Sequence, residues 1–101
     1  LAENNGNLNA GFKNLLDWTS RIKGRKIFGG KPMLLMATSP GARGGASVLE
    51  IAKDRFPRHD AQIIDVFSLP SFGNHFSEGK ISNVDLNADL KSWCTLFLRL
   101  F

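Results

Sequence analysis

Apolar residues follow two different patterns along the chain. Phe12, Leu15, Leu16, Thr19 and Ile22 recur at three- and four-residue spacing, which gives a helix one buried stripe. Arg21 and Lys23 suit the C-terminal end of that helix, and Gly24 is its stop. Met33-Leu34-Leu35-Met36-Ala37 is instead a continuous apolar run, the pattern of a parallel strand covered on both faces. The turn Gly29-Gly30-Lys31-Pro32 precedes this strand, and Thr38-Ser39-Pro40-Gly41 ends it. Helical spacing returns from Gly44 to Phe56, with Val48, Leu49, Ala52 and Phe56 inward and Pro57 as the stop. Gln62 to Phe67 reads as a second strand, and a loop with Pro70, Gly73 and Gly79 follows. The last helix begins near Val84, where Ser82 with Asp85 reads as a capping box. Leu86, Leu90, Trp93 and Phe97 line one side of it, and its final turns through Leu98, Leu100 and Phe101 are apolar all round. At the other end of the chain, Asn4-Asn5-Gly6-Asn7 is a turn-forming cluster.

The order helix, strand, helix, strand, helix predicts an α/β fold in which Met33–Thr38 and Gln62–Val66 are adjacent parallel strands. Gly44–Phe56 is their right-handed crossover. Helices cover both faces of such a sheet. Two strands alone do not protect one another, and the first is apolar enough to need a neighbour on each side. The second neighbour either precedes Leu1 in a longer protein or comes from another chain. The chain does not begin with methionine, so Leu1 is not expected to be the native start. Residues 1–101 are expected to form a single, partial domain.

Charge and composition narrow the function. The net charge is +4, but the cations are scattered. The densest group, Arg21, Lys23, Arg25 and Lys26, has no aromatic residue between its charges and reads as a solvated link, so no nucleic-acid partner is expected. The apolar runs are too short to cross a membrane, and no leader is evident. Cys94, the single cysteine, cannot form an internal disulfide and reads as a buried small hydrophobe, which fits a reducing, cytoplasmic location. His59 and His75 lack metal-ligand spacing, and neither a Ser-His-Asp set nor a carboxylate pair is suggested, so no catalytic side chain and no metal site is assigned.

The segment Thr38-Ser39-Pro40-Gly41-Ala42-Arg43-Gly44-Gly45-Ala46 lies between a strand and a helix. Ligands of open parallel sheets bind at this carboxyl edge, where glycines let the backbone approach a flat ring and the helix offers free N–H groups. It is neither a Walker A loop nor the dinucleotide GxGxxG. By itself the pattern fits a tight turn as well as a ligand loop.

Glu3-Asn4-Asn5-Gly6 followed by Phe12-Lys13-Asn14-Leu15-Leu16-Asp17-Trp18 resembles the Glu-Tyr-Asn-Gly…Leu-Lys-Asn-x-x-Asp-Trp segment of the NADPH-dependent FMN reductases. Gly30-Lys31-Pro32, Thr38-Ser39-Pro40-Gly41 with Gly44-Gly45-Ala46, and Phe67-Ser68-Leu69-Pro70 resemble later loops of that family, whose pattern azoreductase-like and chromate-reducing enzymes share. The resemblance implies a flavodoxin-like three-layer αβα fold, of which this chain holds the fourth and fifth strands and lacks the N-terminal ones. It implies FMN and NADPH as cofactors, with Glu3, Asn4, Asn5 and Gly6 along the flavin ring and ribityl chain. It also places Thr38, Ser39, Pro40, Gly41, Arg43 and Gly44 near the isoalloxazine. Arg43 is a candidate for an NADPH phosphate, which guanidinium geometry suits. The partners implied are a small-molecule electron acceptor and further copies of the chain. Trp18, off the main stripe, reads as a subunit contact, while Phe72 and Phe76 either form an interface patch or cap the core.

Two features depart from the family pattern. Position 4 is Asn where tyrosine is common, and the Ser/Thr-rich phosphate loop that follows the family's first strand has no counterpart. The expected activity is hydride transfer from NADPH to FMN and on to a quinone, azo compound or similar acceptor, with this chain inactive alone. A non-enzymatic flavodoxin-like electron-transfer or interaction module is the other reading. Typical flavodoxins are acidic, and the basic charge favours the reductase.

Overall fold

Alternating burial on two strands and apolar stripes on the helices organise the chain into layers. The computed structural model describes residues 1–100. In chain order the elements are β1 (Glu3–Asn4), β2 (Asn7–Leu8), α1 (Ala10–Thr19), β3 (Pro32–Thr38) and α2 (Ala46–Arg55), then a 3-10 turn (Phe56–His59). They continue with β4 (Gln62–Leu69), α3 (Phe72–His75), β5 (Phe76–Ser77), β6 (Lys80–Ile81) and α4 (Val84–Leu98). β3 and β4 pair in parallel, and β1–β2 and β5–β6 are two-residue antiparallel ribbons.

The parallel pair sets both faces. Leu35 stands beside Val66 and Ala37 beside Ser68 on the side of α2, while Met36 beside Phe67 and Thr38 beside Leu69 face the other way. A register shift between Met33 and Leu34 leaves Ile64 without a partner. That extra residue lets Ile63 and Val66, an odd number of positions apart, both pack on the α2-side core. Ile64 itself is exposed.

Val48 and Ala52 of α2 have no exposed surface, and Leu49 and Phe56 have almost none. They meet Leu35, Ala37, Ala61, Leu8 and Leu16 in one cluster. Phe56 holds Phe28 at 5.0 Å and Phe12 at 6.0 Å between ring centroids, which ties α1 and the 27–28 segment to the same core. Across the sheet, Trp93 of α4 meets Phe67 edge-on at 5.4 Å. The result is a three-layer αβα arrangement on a parallel sheet, the flavodoxin-like class.

The structure departs from the sequence pattern at several points. The stripe on α1 narrows to Phe12, Leu16 and Thr19, because the helix ends at Thr19 and Ser20 caps it. Leu15 and Ile22 stand exposed, as does Trp18. α2 starts at Ala46, because Gly44 and Gly45 both have positive φ. Beyond it Pro57 tightens the backbone into a 3-10 turn. The cap of α4 is Asn83, whose Oδ1 accepts from the Leu86 N–H at 3.0 Å, displacing the Ser82–Asp85 capping box. The Pro70–Gly79 loop contains α3 and β5, and Phe72 stacks on Phe76 at 4.7 Å. Cys94 is half-buried rather than enclosed.

α4 has no fully buried residue, and Val84, Leu96, Leu98 and Leu100 are exposed. Phe101, grouped with them in the sequence, lies outside the described residues. Among the described residues β3 has a strand partner on one edge only. At its other edge the amino group of Leu1 donates to Met36 O at 2.8 Å. The predicted core strand is therefore covered unevenly: Leu35 and Ala37 are buried, but Met36 is 44% exposed. Among the described residues no helix is long and apolar enough to cross a membrane.

Candidate functional site at the carboxyl edge of the sheet

The connection from β3 to α2 is shaped by contact with its own scaffold. Thr38 Oγ1 donates to Leu69 O at 2.7 Å, which fixes the exit of β3 against the end of β4. Ser68 Oγ donates to Gly44 O at 2.8 Å. The N–H groups of Ser71 and Phe72 donate to Gly41 O and Ser39 O at 2.8 and 3.0 Å. Loop 39–45 is thus stitched to the loop that follows β4.

Two glycines make this close fit possible. Gly44 has φ +58, and a Cβ there would stand 2.8 Å from the backbone N and Cα of Pro70. Gly45 has φ +80, and its Cβ would stand 2.7 Å from that of Ala37. The space these glycines leave is filled by the protein itself.

Gly45 is the N-cap of α2 and supplies no side-chain acceptor. The acceptor comes from 45 residues away: Glu3 Oε1 takes the Val48 N–H at 2.8 Å. A carboxylate suits the positive end of the helix and satisfies one of its unpaired amides. This contact brings the Glu3–Leu8 ribbon to the 38–45 loop. Its tip, Asn5-Gly6, turns with φ +51 and +77, and Asn9 Nδ2 donates to Asn4 Oδ1 at 3.0 Å behind it.

Of the residues singled out by sequence, Glu3 and Gly44 are engaged in these contacts. Asn4, Asn5, Gly6, Pro40, Gly41 and Arg43 are exposed around them, Ser39 is half-buried, and Thr38 holds the end of β4. Arg43 Nη2 donates to Ser47 Oγ at 3.0 Å, one turn along the same edge. The exposed N–H groups of Ala42 and Arg43 have no partner among the described residues. Sequence reasoning did not find Val48, Ser68 or Ser71. Ser68 lies in the quoted Phe67–Pro70 motif, whereas nothing in the sequence marks a backbone amide such as that of Val48.

An open apolar cleft of about 290 Å³ runs from Thr38 and Leu69 along the α4 side, among Leu1, Met36, Phe67 and Leu90. A second, of about 370 Å³, lies between Leu1 and Phe12. Neither takes in residues 39–45. Among the described residues no group of His, Cys, Asp or Glu could hold a metal ion.

A three-layer αβα unit with its strand-to-helix loops gathered at the carboxyl edge defines the class of open α/β proteins that bind ligands there. Within that class the family model for NADPH-dependent FMN reductase matches residues 2–79. The chain belongs to that family, which joins FMN and NADPH to oxidoreductase chemistry. No curated protein matches the chain.

FMN has two ends with different needs. The free N–H donors of Ala42 and Arg43 fit the carbonyl acceptors on the edge of a flavin ring. The phosphate is not matched in the same way. The helix N-terminus closest to these loops already carries Glu3, and a second anion would have to displace it.

Proposed function

We propose that this chain carries the ring-facing loops of an NADPH-dependent FMN reductase, and that the phosphate of the flavin is held elsewhere. The observation that carries the reading is the Glu3–Val48 hydrogen bond, which joins two loops distant in sequence, within a chain matched to the family over residues 2–79. In this reading Glu3 positions the ribbon, and Asn4, Asn5 and Gly6 border the flavin. Thr38, Ser39, Pro40, Gly41 and Gly44 shape the opposite wall, and Arg43 meets a phosphate of NADPH. When bound, FMN supplies the hydride and electron chemistry. The side chains bind and orient, and none acts as acid or base. The electrons pass on to a quinone, azo compound or similar small acceptor, and the working protein is a cytoplasmic homo-oligomer.

The chain alone is then expected to be inactive. A phosphate site supplies several charge-assisted hydrogen bonds, each worth about 1.5–3 kcal/mol. Losing three costs ~4 kcal/mol or more, about a thousandfold in affinity. The purified chain should be colourless, titration should leave FMN fluorescence unchanged, and added FMN should not support NADPH oxidation. A chain that purifies yellow with one FMN per subunit would overturn the assignment of the phosphate to a site outside these residues. NADPH-independent electron transfer by a longer form would favour the non-enzymatic reading.

A further inference from the structure

We propose that Asn5-Gly6 is a site of spontaneous deamidation in the folded protein, placing a chemically self-modifying turn at the tip of the Glu3–Leu8 ribbon. The reaction needs a backbone nitrogen next in sequence to an asparagine and free to reach its side-chain carbon. Seven other asparagines are present, at positions 4, 7, 9, 14, 74, 83 and 87, and each is followed by a residue with a Cβ that crowds this approach. Asn5 alone is followed by glycine.

The structure adds the accessibility that sequence cannot give. Asn5 and Gly6 are both exposed. A Cβ built on Gly6 would meet nothing within 4 Å, so no more distant part of the fold crowds that side of the turn. Neither the Asn5 amide nor the Gly6 N–H has a hydrogen-bond partner among the described residues. By contrast Asn9 and Asn83 accept backbone N–H bonds as helix caps, and Asn7 Oδ1 accepts the N–H of Leu8. The left-handed turn is not the conformation in which the nitrogen meets the side-chain carbon, so the tip must open first. Only two residue pairs, Glu3 with Leu8 and Asn4 with Asn7, close the ribbon. The tip pair, Asn4 with Asn7, can part at little cost while Leu8 stays in the core and Glu3 stays on Val48.

The step balances without a redox partner. The Gly6 nitrogen loses its proton to solvent base and bonds to Asn5 Cγ. The bond from Cγ to the side-chain nitrogen breaks, and ammonia leaves with a proton from water. Water then opens the cyclic imide at either carbonyl, leaving aspartate or isoaspartate. Both products put a negative charge two residues from Glu3, and isoaspartate also lengthens the backbone by one carbon.

The test is incubation of the intact chain at mildly alkaline pH, with peptide mapping by mass spectrometry over time. A parallel sample is held unfolded in urea. The expected result is the acid-for-amide mass gain at Asn5 before any other asparagine, at a rate within about tenfold of the unfolded sample, as a locally opening ribbon allows. Asn5→Gln should abolish the gain while leaving the far-ultraviolet spectrum unchanged. Protection of Asn5 by more than about tenfold, or earlier modification at another asparagine, overturns the proposal. Its failure would leave the flavin reading untouched, because the mass gain requires no cofactor.

Discussion

Replacing Gly44 with alanine should remove most of the chain's stability, and the structure says why. Gly44 sits at φ +58, where an L-residue costs about 1–2 kcal/mol. The new methyl would stand 2.8 Å from the N and Cα of Pro70, and also against Ser68 Oγ. Pro70 is backbone and cannot swing aside, so the loop must lift, at an overpacking cost of about 1–3 kcal/mol. Lifting it breaks the Ser68 Oγ to Gly44 O bond, worth about 1 kcal/mol. The three add to about 3–6 kcal/mol, against a total stability near the lower end of about 5–15 kcal/mol for a small domain. A urea titration followed by tryptophan emission reads the loss, because Trp93 packs on Phe67 in the fold. Gly73→Ala is the control: a Cβ there meets nothing within 4 Å and Gly73 does not have positive φ, so no loss is expected. A Gly44→Ala midpoint equal to wild type, with unchanged slope, would refute the reading of this loop as wedged against the strand ends.

Three further outcomes follow from other contacts. Glu3→Ala should cost about 1 kcal/mol by stripping the remote cap from Val48, while Glu3→Gln, which keeps an acceptor, should recover most of it in the same titration. Phe56→Ala should cost about 3–5 kcal/mol, since Phe56 is buried between Phe12 and Phe28, and differential scanning calorimetry should show the transition lowered or lost. The chain should self-associate at micromolar concentration in sedimentation velocity, because β3 has an unpaired edge among the described residues and Trp18, Leu96 and Leu98 are exposed; a monodisperse monomer with a sharp unfolding transition would contradict this.

The sequence by itself determined the parallel pair. The continuous run Met33–Ala37 and the stripe Val48, Leu49, Ala52, Phe56 each repeat with the period of one element, and a strand-helix-strand order has essentially one handed solution. It also placed a glycine-containing connection after the first of these strands, a pattern that fits a tight turn as well as a ligand loop. Tertiary structure decided what periodicity cannot carry. Leu15 and Ile22 share helical spacing with Leu16, yet only Leu16 is buried: Ile22 lies past the end of α1 at Thr19, and Leu15 falls outside the edge of α1 that meets the core. Ile64 is exposed although it sits beside Ile63 in the second strand, because a single unpaired residue resets the pleat. The Glu3–Val48 contact joins positions 45 apart through a backbone amide, which leaves no trace in residue identity. Local spacing records which face a residue occupies, whereas the partner on that face exists only once the chain has closed on itself.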